Sequence, residues 1–202
     1  MNGTRLYLVR HAEPDAWAAG RCCGRTDVPL SAAGAARAER LAVAFAGLGV
    51  EAVYASPLRR AAATARPIAA AAGRAVVTCH GLVEVDFGAF EGMTFEEIAR
   101  AEPELYERWM ASPATVRFPG GESFADLRER AVAAADGIAR RHPGTAVVAV
   151  AHDGPIRAVL AAVLEIPDHA VFRLQLGLAS VSLVEWLGDQ PVVRGVDVAI
   201  RA

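Results

Sequence analysis

Apolar residues occur along this chain in two rhythms. Short runs at residues 5–10 (RLYLVR), 51–55 (EAVYA), 75–79 (AVVTC) and 145–151 (TAVVAVA) stop abruptly in polar residues, as strands buried on both faces do. Between them the apolar positions fall three and four apart, which predicts helices. Ser31 reads as the cap of a helix running to about Leu48, where Gly47 and Gly49 are stop signals. Ser56 reads as a second cap, with Pro57 in the first helical position. Thr94 and Glu97 form a capping-box pattern opening a helix to about Ala101, and residues 103–110 suggest another. Ser123 opens a long amphipathic helix ending near His142, before Pro143-Gly144, and a further helix follows from Pro155 to Leu164. Residues 171–200 alternate in strand fashion and predict edge strands.

Strands alternating with helices predict one α/β domain on a mainly parallel sheet, with residues 83–123 as an insertion or lid. Ligands of such sheets bind beyond the carboxyl ends of the strands. Four predicted strand ends carry polar residues: Arg10-His11, Ser56 to Arg60, Glu84 and His152. They are distant in sequence, but this fold would gather them on one rim.

Composition narrows the chemistry. Among 202 residues with a formal net charge of −2, all 21 basic residues are arginines. Without lysine there is no Walker-type phosphate lysine and no Schiff base. Charges are scattered, so no nucleic-acid partner is expected. No apolar run approaches the roughly 20 residues of a membrane span, and no secretory leader is visible. Three cysteines, two of them adjacent (Cys22 and Cys23), make no disulfide framework. A cytoplasmic location is expected.

The rim residues suit metal-independent phosphoryl transfer, and neither cofactor nor metal is expected. A phosphoryl group needs donors for its three equatorial oxygens, and arginine forks at Arg10 and Arg60 can supply them. A neutral imidazole is a competent nucleophile near neutral pH, which nominates His11. His152, when protonated, would donate to a phosphoryl oxygen. Glu84, if burial raises its pKa, would protonate the leaving oxygen and then activate water. Competing chemistries lack their residues. Six positions after the cysteines stand Val28, Pro29 and Val85 rather than arginine, no Asp-x-Asp pair occurs, and no G-x-S-x-G elbow exists.

Six segments, in order, resemble the histidine phosphatase superfamily, which includes the cofactor-dependent phosphoglycerate mutases. They are LVRHAE at residues 8–13, GRTDVPLS at 24–31 followed by Gly34, SPLRRA at 56–61, LVEVDFG at 82–88 with Glu91-Gly92, PGGES at 119–123, and AHDGPIR at 151–157. The resemblance implies a three-layer, doubly wound α/β fold with helices on both sheet faces and a small helical lid. It implies His11 as nucleophile, Arg10, Arg60 and His152 as the phosphate pocket, and Glu84 as acid–base, with Cys23, Gly24 and Asp153 beside the substrate. Residues 20–27 (GRCCGRTD) are similar to members described as α-ribazole phosphatases.

There are departures. Asp153 stands where many members have glycine, and it is expected to point outward and shape the pocket rim. Trp17 stands where the mutases carry asparagine, and Cys23 where they carry threonine. A less polar substrate side and a short lid favour hydrolysis of a small phosphomonoester. The alternatives are a cofactor-dependent phosphoglycerate mutase and a non-catalytic phospho-ligand binder. Arg21 and Arg25 read as solvated loop residues or contacts to a second anion. Arg128, Arg130, Arg140 and Arg141 read as a solvated helical face. His142 and His169 read as solvated turn residues.

Overall fold

The computed structural model describes residues 3–198. In chain order the regular elements are β1 (Thr4–Arg10), α1 (Ala32–Phe45), β2 (Val50–Ala55), α2 (Arg59–Ala71), β3 (Val76–Thr78), α3 (Phe95–Ala101), α4 (Pro103–Ala111), α5 (Phe124–Arg141), β4 (Ala146–Ala151), α6 (Asp153–Val163), β5 (Val181–Leu187) and β6 (Gln190–Val198). They build one six-stranded sheet in the order β3-β2-β4-β1-β5-β6. The first four strands are parallel, and β5 and β6 add an antiparallel edge. This is the α/β arrangement the strand–helix alternation predicts.

The apolar runs form central strands because both of their faces are covered. Leu6, Leu8, Val147 and Ala149 pack under α5 and α6, with Leu127, Ile138 and Leu160. Their neighbours Tyr7, Val9, Val148 and Val150 face the opposite way, onto Phe45 of α1 and Ile68 of α2. Every residue of β4 is buried, as befits the middle of a doubly covered sheet. A smaller apolar cluster joins Phe90, Ile98, Trp109, Val116 and Phe118, from the segment between β3 and α5, to Cys22 of the loop after β1. Among the described residues, no helix is long and apolar enough to cross a membrane.

Three predicted boundaries differ, each for a physical reason. Helix α2 starts at Arg59, and its cap position is Leu58, which supplies no side-chain bond. The helix's first amide instead donates to Asp27 Oδ1 at 2.6 Å, so the cap comes from a distant loop. Ser56 is thereby released for another partner. Helix α6 begins at Asp153 with His152 in the cap position, two residues before the proline expected to open it. The predicted tail strand is a 3-10 turn over Asp168–Arg173, with Val171 buried under the core, and strand structure starts only at Val181. Positions 199 and 200 of that prediction lie outside the described residues.

Candidate active site

The carboxyl ends of β1, β2 and β4 lie side by side, and His11, Ser56 and His152 are the first residues beyond them. Backbone bonds hold this rim: the His11 amide donates to Ala151 O and the Ser56 amide to Val150 O. The His11 and His152 rings meet edge to face, their centroids 5.1 Å apart. His11 is 7% exposed and His152 is fully buried.

Hydrogen bonds decide the state of each ring. His11 Nδ1 lies 2.7 Å from Ala12 O. A carbonyl only accepts, so Nδ1 carries the proton and Nε2 keeps its lone pair free. Thr64 steadies this stretch, accepting from the Ala12 amide at 2.9 Å and donating to Arg60 O. Burial, reinforced by the charges of Arg60 and Arg10 and opposed by the Ala12 carbonyl, lowers the His11 pKa to about 3.

His152 differs from the expected imidazolium. Its Nδ1 accepts from Arg60 Nε at 3.2 Å, and its Nε2 lies 2.8 Å from Ser56 Oγ. Nδ1 facing a guanidinium must be unprotonated, so Nε2–H donates to Ser56. Burial and the neighbouring cations hold the ring neutral, its pKa well below the usual histidine value. For His152 to donate from Nδ1, Arg60 Nε would first have to move away.

Arg60 is 2% exposed and anchored mostly to backbone. Nη1 donates to Thr26 O at 2.9 Å, and Nη2 donates to Cys23 O and Gly24 O at 2.8 and 2.9 Å. With Nε on His152, one of its five N–H groups is left for a ligand. Cys23 and Gly24 thus enter the site through their carbonyls. Gly24 is needed there, since a Cβ would stand 1.8 Å from Val85 O. Burial raises both adjacent thiols, Cys22 to about 12, which makes neither a thiolate nucleophile.

Arg10 closes the other side. Its Nη1 donates to Leu176 O at 2.5 Å and lies 3.4 Å from Asp153 Oδ1, while its buried Nε has no partner. Among the described residues nothing meets this donor, and an unpaired buried donor is a ready contact for an anion. Asp153 does not point outward as expected. Its carboxylate sits between Arg10 and Arg157, whose Nε is 2.7 Å from Oδ2, because two cations flank the start of α6.

Glu84 faces this group from the segment between β3 and α3. Oε1 accepts from the Val85 amide at 2.9 Å and Oε2 from the Gly154 amide at 3.2 Å. Burial first, and the Asp153 charge second, raise its pKa above the ordinary carboxylate value. A Cβ on Gly154 would lie 2.3 Å from Glu84 Oε1. Gly154→Ala is therefore expected to displace Glu84 and lower kcat by about 100-fold, the scale of a lost general acid, with the melting curve little changed. A variant as active as the parent enzyme would show that Glu84 is not used where it sits.

Several residues that organise the site were not visible as such in the sequence. Ser56, read as a cap, sets the His152 tautomer. Glu91 accepts from the amides of Arg25, Thr26 and Phe87 and from the Thr26 hydroxyl, pinning the 24–26 loop to the segment before α3. Arg130 is not solvated: it donates to the carbonyls of Gly81, Val83 and Glu84 and pairs with Glu122, fixing the backbone that carries Glu84. Glu122 also pairs with Arg25, and Arg21 donates to Gly92 O, so these arginines hold the protein together rather than await an anion. Ser123 caps α5 as expected, and His142 is hydrogen-bonded to the Tyr54 hydroxyl at 2.9 Å rather than solvated.

Two rings held neutral by burial also link stability to acid. Below pH 6.5 the unfolded chain protonates His11 and His152 while the folded chain does not, so unfolding gains ground as pH falls from 6.5 toward 3. Thermal melting between pH 7 and pH 4 is expected to show a falling Tm, and His11→Asn to show a smaller fall. An equal fall in the variant would contradict this.

The chain is similar to known proteins over nearly all its length. The family model described as "Histidine phosphatase superfamily (branch 1)" matches residues 6–198. A bifunctional protein of Mycobacterium tuberculosis is 38% identical over 187 residues, covering 92% of this chain but 51% of that protein, so the chain spans about half the length of this relative. Phosphoserine phosphatase 1 of Hydrogenobacter thermophilus is 36% identical, covering 89% of this chain and 85% of that enzyme. The structure of a candidate alpha-ribazole-5'-P phosphatase of Escherichia coli superposes with a TM-score of 0.86 at 25% identity, covering 100% of both chains. With a match across nearly all its length, the chain belongs to the histidine phosphatase superfamily, branch 1.

Proposed function

We propose that this chain is a phosphomonoesterase that hydrolyses a small phosphorylated metabolite through a phosphohistidine on His11. The observation that carries the reading is the bond from His11 Nδ1–H to Ala12 O, which leaves Nε2 unprotonated within the field of the Arg60 and Arg10 charges. Nε2 attacks phosphorus, and the P–O bond to the leaving group breaks as that oxygen takes the proton of Glu84. The Ala12 carbonyl, still holding Nδ1–H, favours the positive charge that develops on the ring. In the second half Glu84 takes a proton from water, the hydroxide attacks phosphorus, and phosphate leaves with the Nε2 lone pair restored. Arg10 Nε and the remaining Arg60 N–H meet the phosphoryl oxygens, while His152, tied to Ser56, aligns Arg60.

In this reading the described fold is one histidine phosphatase domain with residues 83–123 as its lid. Its partner is a small phosphomonoester, with no nucleic acid or membrane involved. A reducing, cytoplasmic setting fits Cys22, Cys23 and Cys79, all of which stand unpaired.

The decisive experiment is acid-labile trapping. Rapid quenching in alkali of a reaction with labelled phosphomonoester and EDTA is expected to leave label on the protein, mapped to His11 and lost in acid. Turnover with label never found on His11 would overturn the mechanism. Conversion of 3-phosphoglycerate to its 2-isomer when 2,3-bisphosphoglycerate is added would replace hydrolase by mutase, and tight phosphate binding without turnover would leave a binder.

A further inference from the structure

Beside Glu84 lies a cavity of about 120 Å³ that the mechanism above does not use. Its walls are mainly the rings of Phe87, Trp109, Phe118, Phe124 and Phe172, brought together by the lid, the start of α5 and the turn before β5. The rings pack edge to face, Phe87 on Phe118 at 4.9 Å and Trp109 on Phe118 at 5.1 Å, so the wall is already formed without a ligand. The ionisable side chains facing the space are Glu84 and Asp153, and no arginine lines it.

We propose that this cavity is the leaving-group subsite, that it takes an uncharged group of one aromatic ring, and that Asp153 makes it reject carboxylated leaving groups. The proposal rests on the phosphomonoesterase reading and deepens it. Position supports it, because Glu84, the donor to the leaving oxygen, forms part of the cavity wall. Size supports it as well, since an apolar cavity of about 150 Å³ holds a benzene ring, and a slightly smaller one with a solvent-facing rim accepts one ring and no more. Phe172 provides that rim, being half exposed and stacked under Arg157 at 5.4 Å.

Charge decides the rest. A leaving group that carries a carboxylate would bring it against Asp153 and Glu84 with no cation on the cavity wall to meet it, and an unpaired buried charge is costly. Arg10 does not rescue it, being given to the phosphoryl oxygens in that reading, nor does Arg157, which is paired with Asp153 and stacked on Phe172. A carboxylated leaving group such as that of phosphoserine or phosphoglycerate is therefore disfavoured, chiefly by the residue that stands where many family members have glycine.

The test compares kcat/KM on 2-phenylethyl phosphate, glycerol 1-phosphate and O-phosphoserine. All three have alkyl leaving groups, so ring recognition is read separately from leaving-group chemistry. The parent enzyme is expected to prefer 2-phenylethyl phosphate over glycerol 1-phosphate by about tenfold and over O-phosphoserine by about 100-fold, tenfold being about 1.4 kcal/mol. Asp153→Asn is expected to narrow the gap to O-phosphoserine about tenfold, and the rim variant Phe172→Ala to reduce the ring preference severalfold. Because each readout is a ratio within one protein, loss of folded material does not imitate the result. Turnover with no preference for the ring, or a phosphoserine ratio unmoved by Asp153→Asn, would overturn the subsite alone. No turnover of any of the three by the parent enzyme would overturn the phosphomonoesterase reading along with it.

Discussion

Replacing His11 by alanine is expected to lower kcat/KM on any phosphomonoester by about 10⁴-fold or more, the scale on which a covalent nucleophile is missed. The effect should be on kcat, since Arg10 and Arg60 still hold the phosphate. The bond from Nδ1–H to Ala12 O makes the expectation specific. Methyl or carboxamide groups at this position supply no lone pair at the Nε2 site, so His11→Asn should be as inactive as His11→Ala. Parallel assays with inorganic phosphate as competitor would show binding preserved. Activity within tenfold of the parent in either variant would mean that phosphorus is attacked by something other than this ring.

Glu84→Gln is expected to lose about 10² to 10⁴ in kcat, the usual span of general acid–base assistance. The loss should be largest for alkyl esters, whose leaving oxygen needs a proton, and smaller for aryl esters, whose leaving oxygen is stable without one. The pH profile follows from the same group. Glu84 must be protonated for the first step, and burial together with the Asp153 charge raises its pKa, so its protonated form persists above the ordinary carboxylate range and kcat on alkyl esters declines as pH rises through that raised value. At the acid end His11, with its pKa near 3, stays an unprotonated nucleophile well below pH 5. Asp153→Asn removes one of the two causes of the Glu84 shift, so the alkaline decline should begin at lower pH. A decline that does not move would separate Asp153 from Glu84. An equal loss for alkyl and aryl esters would indicate that Glu84 positions substrate and does not transfer a proton.

The parts of this fold that could be read from the chain are those whose signal is local. Central strands announce themselves because burial on both faces demands unbroken apolar runs, and β4 is the clearest case. Arg10, His11, Arg60, Glu84 and His152 could be named because each sits at or near the end of such a run, where a parallel sheet places its ligands. The misreadings share one cause, which is that the partner lies far away in sequence. Ser56-Pro57 has the local form of a helix start, yet Asp27 takes that duty and Ser56 turns to His152. Arg130 looks like one more arginine on a polar helix face, and only the folded chain brings the carbonyls of Gly81, Val83 and Glu84 to it. Asp153 could be recognised as a departure, but its direction depends on Arg10 and Arg157, one from β1 and one a turn along α6.

Arg60 meets the loop after β1 at three carbonyl oxygens and at no side chain. Such contacts are blind to what residue supplies the oxygen, and they depend only on where the backbone runs. The loop is therefore strict in its count, and as far as Arg60 is concerned permissive at Cys23, though not at Gly24, where a Cβ would meet Val85 O. Cys23 can be varied in a library while the guanidinium stays seated, whereas Arg25 is kept by its pair with Glu122. A single residue added or removed between them would shift each oxygen off its N–H, and the damage would reach His152 through the arginine.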